Sequence, residues 1–225
     1  MRKTKKLKLF GKCSHCLSCM KMKYALRFMC IVDNQTVAVT TGSCKIYIES
    51  VNKKLAILRT LNVWNECYGI TSYQQNLIVN IQNETGNSLV TYDKSFNEVK
   101  RISVPDYGNF AFNTVCASPD GQTTYHSSGN TIVAMNMDGT QINTYESNDL
   151  EQAFGITVDN HGNIYCCGYK SQNVVQINPE GRQLDVLLSS GHALKHPAGI
   201  CLNANNKAIV VFGGKSDEFK LYGLV

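Results

Sequence analysis

Three cysteines and a histidine stand within eight positions in KCSHCLSC, residues 12–19. Cys13, His15, Cys16 and Cys19 are the donor types that hold zinc when four of them converge at about 2.0–2.3 Å from one ion. Whether they converge depends on the backbone beneath them. Along a strand, side chains alternate between faces, so Cys16 and Cys19, three apart, are expected to point opposite ways. Residues two apart on a strand stand about 6.6 Å apart, wide for ligands crowding one zinc. A zinc knuckle also brings a second ligand pair, and only Cys30 and Cys44 follow, in strand-like surroundings. The stretch is therefore expected to be strand and to hold no metal.

No other constellation of reactive residues stands out. G-x-S-x-G, the P-loop and H-E-x-x-H are absent. His15, His126, His161, His192 and His196 are scattered and read as solvated loop residues. Cys30, Cys116, Cys166, Cys167 and Cys201 lie inside apolar runs and read as reduced core residues, since free cysteine packs as a small hydrophobe. No catalytic residue and no cofactor is expected.

The chain has 225 residues, 43% of them hydrophobic, enough for a large core in one all-β domain. Its longest apolar runs span a few residues, whereas a membrane helix needs about 20. The basic N-terminus lacks the apolar stretch of a secretory signal. These features point to a cytoplasmic protein with no membrane contact. Net charge is +5, but residues 1–27 hold nine of the 22 Lys and Arg and no acid. Residues 28–225 hold 13 basic against all 17 acidic residues, a balance of −4.

The elements that would position any site come from a repeat. FGITVDNHGNIYCCGYKSQNVVQINPEGRQLDVLL (154–188) splits into four short strand-like runs separated by DNHG, GYKSQ and NPEG. The unit recurs at 28–61, 68–104 and 114–145, and 198–225 supplies three more strands. Gly121, Gly139, Gly162 and Gly181 end the recurrent turns and are expected at positive φ. Four strands every 40-odd residues mark a propeller blade. Continuous apolar runs such as LIV and VAV fit inner strands buried on both faces. KKLKLF (5–10) and HCLSCMKMK (15–23) match a third and a fourth strand. The expected fold is an all-β propeller of four-stranded antiparallel blades, one domain over 1–225. Residues 1–27 form a partial first blade, full blades follow at 28–62, 63–105, 106–147 and 148–190, and 191–225 makes a three-stranded last blade.

The segments FGITVDNHGNIYCCGYKSQNVVQINPEG and HPAGICLN resemble the NHL repeat. The chain is similar to the C-terminal propeller of tripartite-motif proteins, over nearly its whole length. That resemblance implies a six-bladed ring, against five to five-and-a-half blades' worth of strands here. Either further chain upstream completes six blades, or the N-terminal strands complete 198–225 in a ring of five. It also implies a module that recognises the substrate or partner of a ubiquitin ligase whose catalytic RING lies elsewhere. RNA binding is the alternative. Calcium-dependent lactonase propellers offer a remote one, with Asn65, Glu66, Asn113 and Glu151 as candidate ligands.

In such a fold the loops from fourth to first strands and from second to third strands emerge on one side. They carry Trp64, Tyr68, Tyr107, Phe154, Tyr169 and Lys170, the candidate partner-binding face. Trp64, Tyr107 and Tyr169 are expected to be exposed, and Tyr68 and Phe154 to pack beside first strands. Aromatics on a rigid scaffold suit a protein partner. The scarcity of cations in these loops, Lys170 and Lys195, speaks against RNA, whose phosphates need several.

Overall fold

The computed structural model describes residues 6–10, 16–52, 54–83, 86–104, 114–189, 191, 195–203, 205–213 and 219–224. Two compact units divide the chain, Met1–Pro105 and Asp106–Val225.

In the first unit, β1 (Lys6–Phe10) and β2 (Cys16–Lys21) pair as a sheet of two. β3 (Leu26–Asp33), β4 (Thr36–Thr41), β5 (Lys45–Ser50) and β6 (Ala56–Asn62) form a meander of four. So do β7 (Glu66–Tyr73), β8 (Asn76–Asn83), β9 (Gly86–Tyr92) and β10 (Glu98–Val104). In the second unit, β11 (Val115–Ala117), β12 (Thr123–Ser128), β13 (Thr131–Asn136) and β14 (Gln141–Glu146) make one sheet. β15 (Ala153–Val158), β16 (Ile164–Gly168), β17 (Asn173–Ile177) and β18 (Gln183–Leu188) make the next. β19 (Pro197–Leu202), β20 (Ala208–Gly213) and β21 (Phe219–Gly223) form a sheet of three. The fold is all-β, with five propeller-type blades of antiparallel strands. Among the described residues no helix is long and apolar enough to cross a membrane.

The second and third strands explain the architecture. Val37, Ala38 and Val39 of β4 are consecutive and all buried, as are Leu77 to Ile81 of β8 and Ile164 to Cys167 of β16. Alternation puts successive side chains on opposite faces, so both faces of these strands are covered. Ala38, Ile46 and Ile48 interlock with Cys67, Ile70, Val79 and Ile81 between the two large sheets of the first unit. Ile132, Ala134 and Tyr145 meet Ile156, Ile164, Cys166 and Val175 in the second. Tyr165, Cys167 and Val174 meet Ile209 and Val211 on the other side of the β15–β18 sheet. Burying one such Ile or Val contributes about 1.5–3 kcal/mol.

The turns follow the glycine pattern. Gly121, Gly139, Gly162 and Gly181 have φ of 70°, 96°, 85° and 87°. Ahead of Gly162, Asp159 fixes its hairpin: Oδ1 accepts from the backbone N–H of His161 and Asn163, and Oδ2 accepts from Tyr165 OH at 3.1 Å.

Three expectations are corrected. His126 is not a loop residue: it lies on β12, 3% exposed, its Nε2 2.9 Å from Thr124 Oγ1. Cys201 is exposed rather than buried, whereas Cys166 and Cys167 are fully enclosed, and Cys30 and Cys116 are half-buried. Cys16 and Cys19 do lie on a strand, but not on opposite faces. Phe10 pairs with Cys16, Leu9 with Ser18 and Lys8 with Cys19, so Leu17 is an extra residue. The bulge resets the alternation, and both cysteines fall on one face. Cys13 and His15 lie outside the described residues.

Glycine is also demanded where first strands approach. A Cβ on Gly155 would stand 2.8 Å from Gly199 Cα, 2.9 Å from Ile200 N and 3.0 Å from Ala198 O. All three are backbone, so β15 and β19 would have to separate. Gly155→Ala is expected to lower stability by about 1–3 kcal/mol. Gly42→Ala, whose Cβ would meet nothing nearer than 3.6 Å, should change it little. Equal melting temperatures for the two variants would refute the close approach.

Two buried ionisable groups set opposing pH responses. Burial pushes the His126 imidazole down to about 4. Below its ordinary 6.5 the unfolded chain takes up a proton that the folded chain refuses, so stability falls as pH drops from 6.5 towards 4. Burial pushes the Glu49 carboxyl up to about 7. Above 4.5 the unfolded chain releases a proton that the folded chain retains, so stability falls as pH rises from 4.5 towards 7. Each effect is on the order of 3 kcal/mol. Denaturant midpoints measured from pH 4 to 8 are expected to show the alkaline loss vanish in Glu49→Gln while the acid loss stays. An unchanged profile would overturn the burial of Glu49.

Candidate functional site

Every four-stranded sheet with a long first strand carries the same irregularity near that strand's start. Leu26 pairs with Thr41 and Met29 with Val39; Cys67 pairs with Ile81 and Ile70 with Val79; Ala153 pairs with Gly168 and Ile156 with Cys166. Two residues lie inside each bulge, and the first of each pair, Arg27, Tyr68 and Phe154, is one position of the repeat. A bulge re-aims its side chains, and bulges gather beside functional sites.

In the first unit, the Arg27 guanidinium lies 4.4 Å over the Tyr68 ring. It donates to Cys67 O at 3.2 Å and to Glu66 Oε2 at 3.1 Å. Tyr68 OH donates to the same Glu66 oxygen at 2.7 Å. Tyr68 and Arg27 together hold the Glu66 carboxyl below the usual range. The Tyr68 carbonyl accepts from Thr40 Oγ1 at 3.0 Å. Tyr68 is thus buried at 7% exposure, a packed member of this cluster. Trp64 stands two residues past the end of β6 and is 97% exposed. Its backbone is nevertheless held, because Val63 is buried and Val63 N–H donates to Cys44 O at 3.0 Å.

In the second unit the rings come together. Phe154 and Tyr169 stack with centroids 4.9 Å apart, and Tyr169 and the His196 imidazole lie 4.9 Å apart at 35°. Tyr169 N–H donates to Gln152 O at 2.9 Å, and Tyr169 O lies 3.2 Å from His196 Nδ1. A carbonyl only accepts, so Nδ1 carries a proton. Lys170 N–H donates to Glu151 O, and Glu151 N–H to Ser171 Oγ, tying the β14–β15 and β16–β17 loops together. Gln152, Gln172 and His196 have φ of 55°, 54° and 47°. His196 also precedes Pro197, a position biased towards extended backbone. Such strained residues persist only where their surroundings hold them.

The candidate residues divide accordingly. Trp64 and Lys170 are exposed; Phe154 and Tyr169 are half-buried in one stack, where Tyr169 was expected in solvent; Tyr68 is packed; Tyr107 lies outside the described residues. Sequence reading missed Arg27 and His196. Aligning ALRFMC with ECYGIT would have put Arg27 at the Tyr68 position. Nothing in the sequence marks His196 as a stacking ring.

Of the lactonase-type donors, Glu66 is half-exposed with its Oε2 engaged by Arg27 and Tyr68, Asn65 is half-buried, Glu151 is exposed, and Asn113 lies outside the described residues. Among the described residues no three His, Cys, Asp or Glu gather as a metal-binding group.

No curated protein matches the sequence. The crystal structure of a functionally unknown protein from Desulfotomaculum acetoxidans DSM 771 matches with a TM-score of 0.71 at 12% identity, covering 100% of this chain and 74% of that one. At that identity the likeness concerns the fold alone. The family model described as SMP-30/Gluconolactonase/LRE-like region matches residues 78–213. That span exceeds half of the 225 residues, and the chain belongs to the SMP-30/Gluconolactonase/LRE-like region family.

Proposed function

We propose that this chain is a recognition module that binds a protein partner through the loops ahead of its first strands, and that it is not itself an enzyme. The observation that carries the reading is Trp64. An indole 97% exposed on an anchored loop is a large apolar surface held ready for burial. Tryptophan heads the residue types that dominate protein interfaces. The engagement of Glu66 Oε2 by Arg27 and Tyr68 supports the non-enzymatic part, because it pairs a carboxylate that a hydrolytic centre would use free. The NHL-like turns support the finer reading, in which the module serves a cytoplasmic ubiquitin ligase of tripartite-motif type whose catalytic parts lie outside this sequence. The family description, which names gluconolactonase, favours a lactone hydrolase as the second reading.

The chain has a single tryptophan, so its fluorescence reports this loop alone. Emission of the free chain is expected to match that of tryptophan in water, and to shift to shorter wavelength when a partner docks. Trp64→Ala is expected to weaken that partner's binding about 30-fold, the size of a 2 kcal/mol anchor. Binding should change little between low and physiological salt. Lactone hydrolysis above the buffer rate in the presence of calcium or zinc would overturn the reading in favour of the second. RNA affinity that falls steeply with salt would overturn it in favour of phosphate recognition.

A further inference from the structure

The bulge in β2 gathers two thiols that regular alternation would part. Positions 8 and 10 of β1 lie on one face, and their partners Cys19 and Cys16 share it. The other face of β2 is occupied: Ser18 Oγ accepts from Leu55 N–H at 3.1 Å, and Met22 just beyond the strand is 6% exposed. Cys16 and Cys19 are both exposed and unbridged. Cys16 Sγ lies 3.3 Å from Ser18 O, so the thiol leans along the strand towards Cys19.

We propose that Cys16 and Cys19 form a two-coordinate site for a soft monovalent cation of the Cu(I) class. The geometry selects the occupant. With one residue bulged out, the two cysteines span two residues of partner strand, about 6.6 Å. That is at the top of the roughly 4.4–6.8 Å that a disulfide bridges, where sulfurs must close to about 2 Å. Two thiolates on either side of a cation, each about 2.3 Å from it, need approach only to about 4.6 Å. Soft thiolates select Cu(I) among the available metals. Zinc completes a tetrahedron of four, and on this face the described residues offer two. Charge agrees, since two thiolates and one monovalent cation leave a net negative complex. Lys21, two residues from Cys19 on the same face of β2, stabilises such a complex and would disfavour a bare divalent ion. Binding releases two protons to solvent, and no electron moves.

The test uses the full chain, reduced and kept free of oxygen, in competition with a chromophoric Cu(I) chelator. One Cu(I) per chain is expected to resist the chelator. Cys16→Ser and Cys19→Ser should each weaken its retention by at least about tenfold, because one thiolate cannot make a two-coordinate site. Cys201→Ser, which removes another exposed thiol, should leave it unchanged. X-ray absorption at the copper edge should show two sulfur neighbours. Circular dichroism separates loss of binding from loss of fold, and Cys16→Met, which keeps a sulfur, should retain part of the affinity. Undiminished retention in the Cys16→Ser/Cys19→Ser double variant would overturn the proposal. So would zinc co-purifying at one per chain, or a Cys16–Cys19 disulfide forming with oxidised glutathione while copper fails to bind.

Discussion

Strands that are apolar on both faces cannot end at water on either side. In β4, β8, β16 and the other second and third strands of the four-stranded sheets, runs of three to five consecutive residues are buried. A sheet made of them needs a covering layer on each face, and a repeat of like sheets supplies it. The four-stranded meander, the interlocked clusters and the close first strands all follow from this requirement. Gly155 is one consequence. For β15 to lie against β19 with backbone at contact distance, β15 cannot carry a Cβ at the crossing. The bulges at Arg27, Tyr68 and Phe154 are another, since they turn chain out of the packed layer where the strands leave it.

The same requirement makes polar groups inside the layers costly. Asp159 is fully served by backbone and side-chain donors, so its carboxyl lies below the usual range although burial opposes ionisation. Glu49 has neither carboxyl oxygen hydrogen-bonded, and Asn80 Oδ1 is likewise unpartnered. An unserved carboxylate costs more to bury than its neutral acid, which is why the proton is held at Glu49 and refused at His126. Stability is thereby traded at positions that a hydrophobic residue would fill without penalty.

Much of this was legible from turn chemistry. The glycines that close SPDG, NMDG, DNHG and NPEG placed hairpins, and the apolar runs between them placed strands. Bulges were not legible. They insert one residue without changing composition, yet they invert every inference drawn from alternation. Leu17 shows this most clearly, since one extra residue moved Cys16 and Cys19 onto the same face. His126 was misplaced because it was read with the other scattered histidines, whereas pairing with β13 carries its strand through Ser128. The aromatic face was half legible: residue type found Phe154 and Tyr169, but the partner completing their stack, His196, became visible only through three-dimensional contact.

A fold does not by itself choose a function. The choice rests on what the strand ends present. At one bulge position, Arg27, Tyr68 and Phe154 show how little backbone must change for chemistry to change. A carboxylate beside an open position could serve a cation. The same carboxylate beneath a guanidinium and a phenol is part of the packing. Membership in a family that includes enzymes therefore leaves the catalytic question to individual residues. In this chain they have paired the half-exposed Glu66 carboxylate with Arg27 and Tyr68 and left an indole in solvent.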